Sequence, residues 1–355
     1  MPDELVRWAA RRAPALLARA EAEAVAELRQ ALVEAAIGER PEGRSATPHR
    51  TVDRRAHART EAPPSPRETK PARGAKSTRA EAAGDGIWAY CVTAAGEPFP
   101  EGLAGVHPSD PVERIEHDRL AAVVSRVPLS EFGEEPLRRN LNELEWLERV
   151  ARRHEEVLER ALEQATIVPL RLCTIFQDED GVGRMLDEQR TTLTAALERL
   201  TGHQEWGVKL LVDRPALEAA ARDRTEDLDA VEEDLDERSA GGAYMLRRRL
   251  ERRVREAADR LAVSVADDVH ARLQDWASDA VLNPPQNREL SGHQGEMLLN
   301  GAYLVETAKV VRLGELVTEL QDRYGELGAT LELTGPWPPY NFVPRSVETE
   351  GAALA

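Results

Sequence analysis

The chain has 355 residues, of which 41% are hydrophobic and 31% charged, and a net charge of −17. That length accommodates two domains with an appendage, each able to bury a core. Residues 85–355 alone carry 31 basic and 52 acidic side chains, hence −21, and so acidic a body repels phosphate backbones and anionic lipid, which argues against nucleic acid or membrane as partner.

The first predicted element is an amphipathic helix over residues 1–38. Val25, Leu28, Leu32 and Ala35 share one stripe, Pro14 kinks the start and Gly38 supplies the stop. Residues 39–85 are rich in Pro, Arg, Ser and Thr and read as a disordered basic linker; positions 41–84 carry 10 basic and 5 acidic side chains, hence +5. The helix is therefore expected to be tethered, either folded back on the body or docked on a partner helix. The opening MPDELVRWAARR lacks the apolar stretch of a secretory signal, and no apolar run approaches the length of a membrane span. Cys91 and Cys173 fit no metal or redox spacing and read as small buried hydrophobes, so the expected location is cytoplasmic.

Residues 86–202 read as an α+β domain. A strand is expected at 87–92 and a hairpin from 112–116 and 120–125. A helix follows over 137–164, with Leu141, Leu144, Leu147, Val150 and Val157 at helical spacing. The run ATIVPLRLCTIF reads as one strand around Pro169, and a further helix covers 185–200. In that strand the alternation sets Leu170, Leu172 and Phe176 on one face and Arg171, Cys173 and Ile175 on the other. A guanidinium among apolar neighbours must be paired or reach solvent, so Arg171 is a candidate structural ion pair.

Residues 203–343 read as a second domain. WGVKLLV is a strand, the acidic stretch 213–239 is helical or mobile, and a long helix spans 242–282. Its apolar positions Leu246, Leu250, Val254, Ala257, Leu261 and Val265 repeat every eleven residues, which keeps the stripe nearly straight. A short strand near 288–291, a longer one at 296–305, a helix at 310–327 and a strand at 329–333 complete β-α-β-β-α-β, the ferredoxin-like arrangement. Residues 344–355 read as a disordered tail. The expected fold class is thus α+β in two domains, the C-terminal one ferredoxin-like with a long helix.

Chemistry is sparse. His154-Glu155-Glu156-Val157-Leu158 begins like a zinc-protease helix, but Leu158 stands where the second imidazole is required. No phosphate-binding loop, dinucleotide fingerprint or nucleophile elbow occurs, and the acidic run at 232–237 reads as a solvated face. No catalytic residue, metal ligand or cofactor is assigned. An RNA-binding sheet would need stacking aromatics, and the strand at 296–304 offers only Tyr303. A small-ligand sensor on the ferredoxin-like domain is the alternative function.

The densest signal is TGPWPPYNFV, residues 334–343. Pro336, Pro338 and Pro339 fix φ, which predicts a stiff polyproline-like strip from which Trp337, Tyr340 and Phe342 project. Trp337, Pro338, Pro339, Tyr340, Asn341 and Phe342 are therefore candidates either for partner docking or for a latch between domains. Each ring buries about 150–250 Å² if it packs.

With VPLRLCTIF after a helix bearing His154, WGVKLLV, GAYLVE and above all LELTGPWPPYNFV in this order, residues 86–343 resemble the gas vesicle protein F/L family. Two departures stand out. The family commonly has Phe-Gly where this chain has Leu172-Cys173, and residues 1–85 lie outside its pattern. The resemblance implies a non-enzymatic accessory protein of gas vesicle assembly, associated with the hydrophobic shell protein and other minor vesicle proteins. Holding an aggregation-prone shell subunit in solution, or seeding the shell, is the mechanism it suggests.

Overall fold

The computed structural model describes residues 84–99, 102–224, 240–285 and 295–344. The helix expected over 1–38, nearly all of the linker, the acidic run at 225–239, the short strand near 288–291 and the tail from 345 lie outside the described residues.

Two antiparallel sheets organise the molecule. In the first, β1 (Asp85–Ala94) is the spine, buried along nearly its whole length. Ile87, Ala89 and Val92 face one hydrophobic cluster, and Trp88, Tyr90 and Cys91 face the other. A register shift between Ala89 and Cys91 is what lets Tyr90 and Cys91 share a side, as an extra residue in a strand does. Beside β1 runs β3 (Leu120–Pro128), paired in turn with β2 (Val112–His117). The hairpin turns at Asp118, whose φ of 52° is a left-handed conformation that aspartate tolerates.

The helices of this half are more broken than their periodicity suggests. In place of one helix over 137–164 come α1 (Leu129–Phe132), α2 (Glu134–Asn140) and α3 (Leu144–Leu162). Two asparagines cause the break. The Asn142 side chain donates to the Arg138 carbonyl at 2.8 Å and that of Asn140 to the Glu131 carbonyl at 3.1 Å. Such short amides compete with the helical ladder for backbone groups.

ATIVPLRLCTIF is not one strand. It supplies β4 (Val168–Pro169) and β5 (Ile175–Phe176), both on β1, with a turn between them. Pro169 has no N–H to continue a ladder, Cys173 takes φ 68°, and the Thr174 hydroxyl and amide both donate to the Arg171 carbonyl. The alternation expected for a strand therefore fails, and Arg171 sits exposed on the turn.

The next helix is likewise double: α4 (Glu179–Glu188), capped by Asp178 accepting from the Gly181 amide at 2.8 Å, and α5 (Arg190–Leu200), separated at Gln189.

The second sheet has the order β7-β8-β6-β9, with every neighbouring pair antiparallel. Its strands are β6 (His203–Val212), β7 (Asp279–Leu282), β8 (Glu296–Glu306) and β9 (Ala329–Trp337). Its helices are α6 (Arg214–Asp223), α7 (Ala240–Trp276) and α8 (Val310–Tyr324). The long helix stops six residues earlier than its period suggests. Residues 279–282 pair with β8 instead, entered by the Ser278 amide donating to the Leu304 carbonyl at 2.8 Å. The buried stripe of α7 drifts along the helix, through Leu250, Ala258, Ala262, Val265, Val269 and Leu273.

One face of this sheet, with Val208, Leu210, Tyr303 and Val305, packs on α6, α7 and α8. The other presents Ala302 and Leu304 to Leu193, Ala196 and Leu197 of α5. Helix α5 thus lies between the two sheets, and one apolar cluster runs from β1 through α5 to β8. Among the described residues no helix is long and apolar enough to cross a membrane.

The terminal strip departs from expectation. β9 continues as an edge strand through Gly335-Pro336 to Trp337, which stands opposite Glu205. An edge tolerates a proline because its outward N–H has no partner to lose. Gly335, at φ 128°, crosses tightly: a Cβ there would meet the Glu205 carbonyl at 3.0 Å and the Trp206 ring at 3.2 Å. Beyond Trp337 the chain coils into one 3-10 turn, Tyr340–Phe342, rather than a straight polyproline rod.

Candidate functional site

The 3-10 turn lies where elements of both sheets converge. On the first-sheet side is His154 of α3, fully buried, placed inward by the same helical stripe that buries Val150, Ala151, Val157 and Leu158. The Trp88 indole donates to its Nδ1 at 3.0 Å, and Tyr90 stacks on the ring with centroids 5.3 Å apart. Because an indole N–H can only donate, Nδ1 must accept, which puts the proton of the neutral imidazole on Nε2. Nε2 lies 3.3 Å from the Tyr340 hydroxyl, which donates in turn to Glu155 Oε1 at 3.3 Å. The order Trp88 to His154 to Tyr340 to Glu155 is a directed chain of donors.

Burial decides the protonation of this chain. It lowers the His154 pKa to about 4, against the opposing pull of a hydrogen bond with the Leu170 backbone. Protonating Nδ1 would also cost the Trp88 bond. Burial raises the Glu155 pKa to about 7, aided by the charge of Glu159 and opposed by the Tyr340 hydrogen bond. The Tyr340 phenol is held well above its ordinary range by burial first and by the Glu155 charge next. Tyr90, also buried, is raised to about 12; its hydroxyl sits 2.8 Å from both Ser125 Oγ and the Val106 amide. Such groups neither give nor take protons near neutrality, apart from Glu155.

On the second-sheet side the turn is gripped by Glu205 of β6, which is 4% exposed. Its carboxylate accepts the Asn341 side-chain amide at 2.6 Å and the Asn341 backbone N–H at 3.1 Å. Phe342 and Val343 are buried in the cluster that joins β1, α5 and β8. Arg199 of α5 donates to the Phe342 carbonyl at 3.4 Å, lies 6.0 Å from the centre of that ring, and pairs with Asp279 of β7.

Of the residues singled out in the sequence, Pro338, Pro339 and Phe342 are buried; Trp337, Tyr340 and Asn341 are half-buried. Trp337 turns back on its own strand, donating from Nε1 to Thr334 Oγ1 at 3.1 Å beside Gly207. Arg171 lies outside this group. His154 and Glu205 are the partners that sequence reasoning missed. The apolar spacing around His154 marked it as inward-facing, whereas nothing local to Glu205 distinguished it.

A second cluster, His117, Asp118 and Asp187, has metal-like spacing. Arg190 already pairs with both carboxylates, at 2.5 Å to Asp118, and holds the Asp187 carboxyl below its usual range together with His117. The guanidinium supplies the charge a cation would bring.

This is a mixed α/β protein with two antiparallel sheets and a proline-aromatic terminal turn between them, and the comparisons with known proteins give that class its identity. The family model described as "Gas vesicle synthesis protein GvpL/GvpF" matches residues 86–344, and the chain belongs to that family. It is 37% identical over 260 residues to "Gas vesicle protein L" of Streptomyces sp. (strain CB03234), covering 72% of this chain and 91% of the relative. To "Gas vesicle protein F" of the same strain it is 28% identical over 246 residues, covering 69% and 93%. In fold it is similar to the crystal structure of the gas vesicle protein GvpF from Anabaena sp. PCC7120. There the TM-score is 0.56 at 19% identity, over 73% of this chain and 98% of that one. Membership of the family supports a role in gas vesicle assembly.

Proposed function

We propose that the protein is a non-enzymatic accessory or minor structural protein of gas vesicle assembly. It acts in the cytoplasm and at the vesicle, binding the hydrophobic shell protein and other minor vesicle proteins so as to nucleate or chaperone the shell. The observation that carries this reading is the family match, which runs unbroken from the first strand through the terminal turn. The higher identity to the L-type than to the F-type relative of one strain favours the L side of the family.

Within this reading residues 86–202 and 203–343 are two domains, the second ferredoxin-like, as its order β9-β6-β8-β7 supports. The terminal turn is their latch rather than a docking strip, because its rings and amides point inward to His154, Glu205 and the shared cluster. Contact with shell protein then falls to surfaces that the latch holds in register.

Deleting the gene in a vesicle-forming cell should abolish or sharply reduce buoyant vesicles; normal flotation without it would overturn the assembly role. Co-purification tests the partner. The shell protein should be retained by the full chain and by Trp337→Ala with the fold intact. Loss of binding in that variant at unchanged melting temperature would make the strip a docking surface after all.

A further inference from the structure

A groove of about 660 Å³ opens between the end of α3, the start of β6 and the terminal segment. Leu162, Ile167, Leu200, Pro336 and Pro339 give it an apolar lining, while Glu97, Glu159 and Glu163 stand exposed around it. No lysine or arginine lines it among the described residues, and Arg160 stands at its rim in an exposed pair with Glu163 at 3.2 Å that an incoming cation must share. Two helices also end here, α3 at Leu162 and α5 at Leu200. Their carbonyl termini carry the negative end of the helix dipole, so backbone and side chains present the same sign. The groove suits an extended cationic segment with apolar stems.

The matching charge lies on the same chain. Residues 41–84 hold ten basic and five acidic side chains and lead directly into β1. The groove lies at the far end of that strand, because Glu97 follows Ala94. Ten residues of strand span about 30 Å. A chain extending at most about 3.5 Å per residue from Gly84 must therefore use roughly nine residues to reach the groove. Arg79 is too close to the anchor. Arg54, Arg55, Arg59, Arg67, Lys70 and Arg73 are far enough upstream.

We infer that this groove is the docking site of the chain's own basic segment, residues 41–73. Arginine and lysine heads pair with Glu97, Glu159 and Glu163, and their stems and the intervening prolines lie against the apolar wall. Each exposed pair is weak alone, but tethering supplies a local concentration on the order of millimolar. This does not depend on the vesicle role.

The test uses the full chain and a zero-length carbodiimide, which joins lysine to carboxylate. Only Lys70, Lys76, Lys209 and Lys309 and the α-amino group can react, so the products are few. The expected product is a monomer linking Lys70 to Glu97, Glu159 or Glu163. It should disappear near 0.5 M salt, where the screening length falls to about 4 Å. In a second arm, E97Q/E159Q/E163Q should speed tryptic cleavage after Arg54, Arg55 and Arg59 several-fold with the melting temperature unchanged. Linkage only in dimers would make the occupant another copy's segment. Linkage spread evenly over other carboxylates, or cleavage indifferent to the triple substitution, would mean the groove does not hold this segment. Any of these results overturns the proposal.

Discussion

Among the described residues each half of the molecule sets one histidine against a tyrosine hydroxyl, and the two pairs differ instructively. His154 is enclosed on every side by Trp88, Tyr90 and Tyr340, with both ring nitrogens engaged. His270, on α7, is half-buried and meets Tyr303 through Nδ1 alone, at 3.0 Å. The fully buried residues around Tyr303 are otherwise aliphatic, with Trp206, Trp276 and Tyr324 packed half-buried at the margin of that core. Aliphatic packing stabilises by area and tolerates small shifts, whereas a hydrogen-bonded aromatic group accepts one arrangement. The first half therefore fixes the terminal turn through His154 at Tyr340, and the second through the Glu205 carboxylate at Asn341 rather than through the His270–Tyr303 pair.

The sharpest way to break this contrast is to remove each histidine in turn. His154→Ala strands a buried Trp88 N–H and opens a cavity, so a loss of about 3–5 kcal/mol is expected by urea denaturation. His270→Ala leaves the buried Tyr303 hydroxyl without that partner but beside a half-buried site that water can enter, and should cost about 1–2 kcal/mol. Equal losses would mean the two pairs are equivalent. Phe342→Ala removes a ring buried in the cluster shared by both sheets and should cost about 3 kcal/mol or more. It should also accelerate proteolysis between the sheets. Next comes Asn341→Ala, which withdraws the side-chain donor from the buried Glu205 carboxylate, at about 1.5–3 kcal/mol for a bond to a charged group. Tyr340→Phe should cost less, about 1 kcal/mol, because its two bonds are long.

The pH dependence sharpens the comparison further, through two opposing slopes. His154 has a folded pKa of about 4 against 6.5, so the unfolded chain binds the extra proton and stability falls as pH drops from 6.5 towards 4. Glu155 is shifted up, from 4.5 to about 7, so the folded chain binds the extra proton and stability falls as pH rises through that window. The two largely cancel between about pH 4.5 and 6.5. Glu155→Gln removes the second slope. Its melting temperature should then climb by several degrees from pH 4.5 to 6.5 while the parent stays nearly flat. A flat profile in both would show that this network does not titrate as described.

The strands that carry strong β-branched or alternating patterns were legible in the sequence: β1, the β2–β3 hairpin, β6, β8 and the start of β9. The helix interruptions were not. Apolar periodicity passes straight through Asn140 and Asn142, and only their side-chain bonds to upstream carbonyls show why the helix stops. β7 was hidden for a related reason: residues 279–282 continue a helix-compatible pattern, and what makes them a strand is the open edge of β8. At the site, the density of proline and aromatic residues marked the terminal turn. Its partners were out of reach, because His154 and Glu205 lie 186 and 136 residues upstream of it. Local sequence shows that a segment is sticky; which pocket receives it is a property of the assembled sheets.

The position of the turn has a consequence for how the molecule comes to be made. Residues 337–343 leave the ribosome only after every strand of both sheets has been synthesised. The first sheet and all of the second except β9 can therefore form before the turn is available. A nascent chain interrupted before Trp337 would join its two sheets through α5 alone, without the partners of His154 and Glu205. Synthesis of residues 337–343 is thus the step at which His154 and Glu205 gain their partners.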